Sequence, residues 1–342
     1  MKDDMVHIYS NRPESDSLLR RRCKSAIPVV MKHVISLIFF LLLLITQLTG
    51  AQKSPDVGLK DSPRSYITFM PGTMPLIISI PHGGYLMPDE IPERTCVNCA
   101  KNQDIYTLEI GLGIREVIHD MTGHLPFVII NNLHRTRLDP NRNIDEAAAG
   151  NPDAEEAWHQ FQDFIDTASA IITREYGRGL FIDLHGHRHL IKRTELGYLL
   201  SGEELQYEDE ILDLGTLTEY TSIRNLVAAN NGSLSFSQLL RGPLSLGSML
   251  CDLGYSTVPS PEIPYPQAGE PYFSGGYNTT RHGSSTGGTI DGIQIELDMD
   301  LRSDLTRRDT LITDIAIVLI KYLRVHYFPE SAFSQVVDAS NK

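Results

Sequence analysis

The stretch Leu180-Phe181-Ile182-Asp183-Leu184-His185-Gly186-His187-Arg188-His189 constrains the fold more than any other part of the chain. Leu180 to Leu184 is a short run, apolar but for Asp183, and reads as a strand buried on both sides. Such strands belong to sheets covered by helices on both faces. The run ends in a burst of polar groups, as a strand does when it delivers side chains to a site at its carboxyl end. If extended geometry persists, His185 and His187 share one face while Leu184 and Gly186 share the other. Three histidines and an aspartate this close together are costly to bury without partners. A metal ion is the usual partner, since neutral imidazole nitrogen and carboxylate oxygen are its ligands. A solvated loop cluster and a helix-capping aspartate are the competing readings.

The rest of the chain supplies the elements that such a sheet needs. Leu76 to Ile80 is a β-branched run that stops at Pro81-His82-Gly83-Gly84, where glycine lets the backbone approach whatever His82 holds. Asp104 to Met121 has helical spacing, with Asp104 placed to cap its first turn. Pro126 to Ile130 reads as a second strand. Ala154 to Tyr176 is the clearest amphipathic helix, with Trp158, Phe161, Ile165 and Ala168 on one face behind Asn151-Pro152-Asp153. Lys192 to Leu200 reads as loop then strand, and Ser237 to Leu253 as one helix broken at Gly242-Pro243. Residues 258–289 read as a long loop around the site. Ile290 to Leu297 is a late strand carrying Glu296, and Leu311 to Tyr327 a closing helix. This order predicts one three-layer α/β domain over residues 74–328, with a mainly parallel or mixed central sheet and helices on both faces. Residues 52–73 read as a linker and 329–342 as a loose tail.

Ahead of the domain, Val34 to Ile45 is a 12-residue apolar core followed by the small residues Gly50-Ala51. That is short for a membrane span, which needs roughly 20 residues, and right for a signal peptide. Met31-Lys32 stands directly before it and makes a compact start site. The alternative is a signal anchor with the basic residues Arg20 to Lys24 held in the cytoplasm, as in a single-pass type II membrane protein. Both readings place residues 52–342 on the lumenal or extracellular side, with membrane contact only through residues 1–51. Two glycosylation sequons, at Asn231 and Asn278, agree with that compartment. So does the expectation of one disulfide, either Cys96–Cys99 or one of these with Cys251. The formal net charge is −13, and residues 52–342 hold 23 Lys+Arg against 39 Asp+Glu, or −16. Nucleic acid is therefore excluded as an expected partner.

His82, Asp104, the Asp183/His185/His187 cluster and Glu296 all fall at or beside predicted strand ends. In an open α/β sheet those ends converge on one crevice. A hydrolytic zinc site needs three protein ligands, an open position and a carboxylate to take a proton from water. His82, Asp104 and His185 suit the ligands, Glu296 the base. The run Arg135-Thr136-Arg137-Leu138-Asp139-Pro140-Asn141-Arg142 reads as a clamp for an anion, because guanidinium grips a carboxylate through two parallel hydrogen bonds. Arg135, Asn141 and Arg142 suit a substrate carboxylate, and Arg135 or Arg137 an oxyanion. His187, His189 and Glu195 read as residues that orient ligands, alongside Asp183. A metal-dependent phosphoesterase is the rival enzyme, but its further ligand blocks are not recognisable. A non-catalytic binding protein that keeps the fold is the rival of a different class.

Taken in order, Ile80-Pro-His-Gly-Gly84, Asp104-Ile-Tyr106, Arg135-x3-Asp139-x-Asn141-Arg142, Ile182-Asp-Leu-His-Gly-His187 and Gln294-Ile-Glu-Leu297 resemble the N-formylglutamate amidohydrolase family. That family is related in fold to zinc carboxypeptidases and aspartoacylase-like deacylases. The resemblance implies a zinc-exopeptidase-like fold with one Zn2+ per chain, and cleavage of an amide in a small molecule bearing a free carboxylate. By position it implies His82 and His185 as zinc ligands, Asp104 as the acidic ligand, Asn141 and Arg142 as the carboxylate pair, and Glu296 as the general base. The close His-x-x-Glu spacing of the carboxypeptidases is absent around His82, and Glu109 is the alternate acid. The family's bacterial enzymes of histidine breakdown are cytoplasmic, whereas this chain carries a secretory leader. A different N-acyl amino acid, or a peptide end, is therefore the expected substrate.

Overall fold

The computed structural model describes residues 66–96, 99–230 and 232–329. Seven strands form one sheet: β1 (Ile67–Met70), β2 (Leu76–Ile80), β3 (Phe127–Asn131), β4 (Gly179–His187), β5 (Thr194–Gly197), β6 (Thr257–Val258) and β7 (Ile290–Asp298). Their order across the sheet is β1-β3-β2-β4-β7-β5-β6. Neighbours among β3, β2, β4 and β7 are parallel. β1 pairs antiparallel with β3, and β5 with β7. The sheet is thus mixed around a parallel centre.

Helix α1 (Thr107–Thr122) carries the chain from β2 to β3 on one side, and helix α2 (Pro152–Tyr176) carries it back to β4 on the other. Where two crossovers leave in opposite directions, a crevice opens at the carboxyl ends of the strands. Both faces are covered. Leu76, Ile78 and Ile80 of β2, with Leu180, Ile182 and Leu184 of β4, pack in a core shared with α1 and the closing helix α3 (Leu305–His326). Ile77, Phe127, Ile129 and Phe181 pack on the other face, against α2. The two-residue period of a strand then puts Ser79, Asp183 and His185 on the same side as Ile77 and Phe181. α2 is well bounded: the Asn151 side chain accepts from Ala154 N, Pro152 opens the helix and Gly177 closes it at φ 77°. Such a cap contributes about 1 kcal/mol.

Several boundaries differ from expectation. The linker reading fails at Ile67–Met70, which is an edge strand; residues 52–65 lie outside those described, as do 1–51 and 330–342. β4 runs on to His187 because β7 pairs with it over its whole length. α1 starts at Thr107 behind Tyr106, which adopts φ 71°, so Asp104 precedes the helix and does not cap it. The broken helix is two helices, Phe236–Arg241 and Leu246–Cys251, the second capped by Ser245. The long loop contains a helix, Tyr277–His282, and a 3-10 turn, Ser284–Thr286. α3 begins at Leu305, where the Asp304 side chain accepts from Arg307 N. Cys96 and Cys99 form a disulfide, and Cys251 is free. Among the described residues no helix is long and apolar enough to cross a membrane.

Candidate active site

Three elements bring their side chains to one point. His82 follows β2 directly and is buried. Asp104 arrives on the segment before α1, where its backbone N donates to His82 O at 3.1 Å and Gln103 Nε2 donates to the Gly83 and Gly84 carbonyls. His185 stands near the carboxyl end of β4. His82 Nδ1 lies 3.2 Å from Asp104 Oδ2, and His185 Nδ1 lies 3.1 Å from both Asp104 Oδ2 and His82 Nδ1.

The opposite edges of both rings decide what this triangle can hold. His82 Nε2 is 2.7 Å from Asp139 Oδ1, and His185 Nε2 is 2.8 Å from Asp183 Oδ2. Both carboxylates are buried and, when ionised, only accept hydrogen bonds. Each Nε2 therefore carries its proton, and each Nδ1 turns a lone pair inward beside the carboxylate oxygen. Three acceptors crowded at 3.1–3.2 Å call for a cation. A tetrahedron with metal–ligand bonds of ~2.0–2.1 Å has an edge of about 3.3 Å, so the spacing of these three atoms suits a cation the size of zinc, which His82, Asp104 and His185 would hold. Carboxylates behind the ligating histidines are the usual support of such a site.

Electrostatics agree. Burial alone would raise Asp104, but His82 and His185 hold its carboxyl far below the usual range. Asp139 is held down against burial by His82 and Arg135, and Asp183 by His185 and Ser79. Burial opposes a charge on His185, yet Asp183, Asp104 and Glu296 raise it well above the ordinary histidine value.

The triangle opens on a cavity of ≈ 390 Å³, which Glu296, Arg135, Asn141 and Arg142 also line. Glu296 of β7 is the register partner of His185 on β4. Gln294 Nε2 donates to Glu296 Oε1 at 3.1 Å. Burial pushes the Glu296 carboxyl up to about 8, with Asp104 and Glu195 adding and His185 and Arg135 opposing. Arg135 Nε donates to Asp139 Oδ2 at 3.0 Å, and its guanidinium lies 3.8 Å from Asp104. Asn141 Nδ2 sits 3.2 Å from His185 Nε2. Arg142 is braced by Glu146 at 3.1 Å and remains about one-third exposed at 35%.

Some expected members lie elsewhere. Arg137 donates to Ile91 O and is not among the residues lining the cavity, because the turn at 134–137 directs it to the loop after β2. Glu109 is an exposed residue of α1, so it cannot replace Asp104. Asn278 is fully buried: its Nδ2 lies 3.3 Å from Asp183 Oδ1 and its backbone N donates to Asn141 Oδ1. A glycan there is incompatible with the folded chain, and the sequon is a structural asparagine. Asn231 lies outside the described residues. His187, His189 and Glu195 do gather. However, His187 donates from Nε2 to Arg193 O and accepts at Nδ1 from His189 N, which occupies both ring nitrogens.

Other residues of the site carried no role in the sequence reading. Asp139 stands within the arginine-rich run, yet nothing local says it reaches back to His82. Ser79, which holds Asp183 at 2.6 Å, shows only as a polar residue in an apolar strand. Arg302 is buried under Gly186 and binds the carbonyls of Leu297, His187 and Ile105, tying the ends of β4 and β7 to the segment before α1. A β-carbon on Gly186 would collide with its guanidinium at 2.2 Å.

No protein-family model matches the chain. No curated protein matches it either. Among solved structures, a gene product of Agrobacterium tumefaciens is 12% identical with a TM-score of 0.43, over 76% of this chain and 94% of that one. The chain is likewise similar to the N-formylglutamate amidohydrolase of Ralstonia eutropha, at 12% identity and a TM-score of 0.45, over 81% of this chain and 100% of that one.

Proposed function

We propose that the protein is a zinc-dependent amidohydrolase that cleaves an N-acyl amino acid, or a peptide end, bearing a free carboxylate. The observation that carries this reading is the convergence of two carboxylate-backed histidine Nδ1 atoms and Asp104 Oδ2 at the floor of a cavity that Glu296 and Arg135 share. His82, Asp104 and His185 hold the metal, which when bound polarises a carbonyl and lowers the pKa of a water towards ~7. Glu296 takes a proton from water and passes it to the leaving amine. Its place in the cavity, as the register partner of His185, puts its carboxyl beside the triangle for both transfers. Arg135, fixed by Asp139, faces the oxyanion. Arg142 and Asn141 take the substrate carboxylate, Arg142 with the Nη2 end of its guanidinium, since Nε donates to Glu146 and Nη1 to the Asn141 carbonyl.

The acidic surface speaks against nucleic acid as a partner. The Cys96–Cys99 disulfide supports action in an oxidising compartment, secreted or within the secretory pathway. The test is metal analysis of the expressed protein beside His82→Ala and His185→Ala, followed by a screen of N-acyl amino acids and dipeptides. One zinc per chain, lost in both variants, together with turnover by the wild type is the expected result. A zinc-loaded wild type that turns over no amide would leave a binding protein in its place.

A further inference from the structure

The cavity has one wall that the chemistry above does not use. Phe273 lines it and is 42% exposed, a large apolar ring open to water in an otherwise polar pocket. His189 lies against it, ring centroids 4.8 Å apart and planes 17° from parallel. A single buried carboxylate ties the His189 ring to the Phe273 backbone. Glu195 accepts from Phe273 N at Oε2, 2.9 Å away, and meets His189 Nδ1 at Oε1, 3.0 Å away. Glu195 itself is fully buried, with Arg193 Nε 3.6 Å from the same Oε1. A carboxylate that fixes one ring and the backbone of the other, with the two rings stacked at a cavity wall, makes a preorganised flat surface. An exposed ring in a concave site favours a ligand group that covers it.

We propose that the Phe273–His189 pair is the specificity wall of the pocket, and that it stacks an aromatic group of the substrate while Arg142 and Asn141 hold its carboxylate. The inference rests on the amidohydrolase reading for the identity of the molecule, but not for the stacking itself. The favoured substrate is then an N-acyl amino acid with an aromatic ring, either in its side chain or in its acyl group. Stacking raises affinity without taking part in proton transfer, so its loss falls on KM rather than kcat.

Binding is measured on the full, zinc-supplied chain, as KM where a probe is turned over and as equilibrium Kd where it is not, with three probes: N-acetylphenylalanine, N-benzoylglycine and N-acetylglycine. Wild type is compared with Phe273→Ala and with His189→Ala, which leaves the Phe273 backbone bond to Glu195 in place. At least one aromatic probe should bind about tenfold tighter than N-acetylglycine, and which one does so tells side chain from acyl group. Phe273→Ala should remove most of that preference with zinc content unchanged, and His189→Ala should reduce it. A wild type with no aromatic preference, or with no binding of any probe, overturns the proposal. So does a preference that survives in whichever variants fold. Aromatic preference without turnover of any probe would sink the hydrolase reading and leave the wall standing.

Discussion

His185 Nε2 lies 2.8 Å from Asp183 Oδ2, the carboxylate two residues back on the same face of β4. Residues i and i+2 of a strand point the same way, so one strand carries both a candidate metal ligand and the carboxylate that would set its tautomer. Asp183→Asn keeps the volume but can present an amide donor to Nε2, which would move the ring proton to Nδ1. Zinc affinity should fall by roughly 10–100-fold. Competition against a chromophoric chelator measures it, and an unchanged affinity would mean that His185 does not bind metal through Nδ1.

Metal and proton compete for that same nitrogen. In the metal-free fold Asp183, Asp104 and Glu296 raise His185, so zinc bound through Nδ1 would release a proton. Calorimetry in buffers of different ionisation enthalpy should show proton release, with affinity weakening as pH falls. The sign for stability is the reverse. A raised histidine stabilises the metal-free fold fully below its unfolded value of ~6.5 and loses that contribution as pH rises through the higher folded value. Thermal unfolding of the metal-free chain should therefore come earlier as pH climbs above that range, and zinc should abolish the loss. A flat pH dependence of both quantities would contradict a proton shared within the triangle.

Glu296→Gln should bind zinc normally and lose turnover by roughly 10²–10⁴-fold, the usual size of a general-base contribution. The same change should stabilise the metal-free protein at pH 8. A carboxyl raised to about 8 opposes folding once it would ionise in the unfolded chain, and the cost grows as pH rises from ~4.5 towards 8. Normal turnover in this variant would remove Glu296 from the base role.

Arg142 and Arg137 separate binding from scaffolding. Arg142→Lys should raise KM about tenfold or more with kcat nearly kept, since an ammonium cannot hold Glu146, the Asn141 carbonyl and a substrate carboxylate at once as the guanidinium can. Arg137→Ala should leave KM for the same substrate within about twofold, because the side chain is turned to Ile91 O. If Arg137→Ala raised KM as much as Arg142→Lys, the carboxylate would sit elsewhere than proposed.

Asn278 should carry no glycan even when the chain is expressed through a secretory route. Its side chain is enclosed between Gln162 and Asp183. Peptide mass mapping decides the point, and a glycosylated Asn278 in folded protein would contradict this packing.

The sequence by itself determined the layers and picked out most of the residues that gather in the crevice. Short β-branched and apolar runs such as Leu76 to Ile80 and Leu180 to Leu184, bounded by proline, glycine or polar residues, read as buried strands, and the spacing of Trp158, Phe161 and Ile165 reads as the covered face of a helix. His82, His185 and Glu296 were legible because strand ends converge in an open α/β fold. What tertiary structure alone decided were the partners across the chain. Asp139 is 57 residues from His82, yet they are hydrogen-bonded. The left-handed Tyr106 freed Asp104 from the helix and turned it into the site. The sequon at Asn278 and the arginine at 137 have ordinary local patterns, and only packing turned one inward and the other away. Local sequence sets backbone periodicity over a few residues. Burial and hydrogen-bond satisfaction are settled by groups far apart in the chain, and in this site those distant groups set the tautomers, the charge and the shape of the pocket.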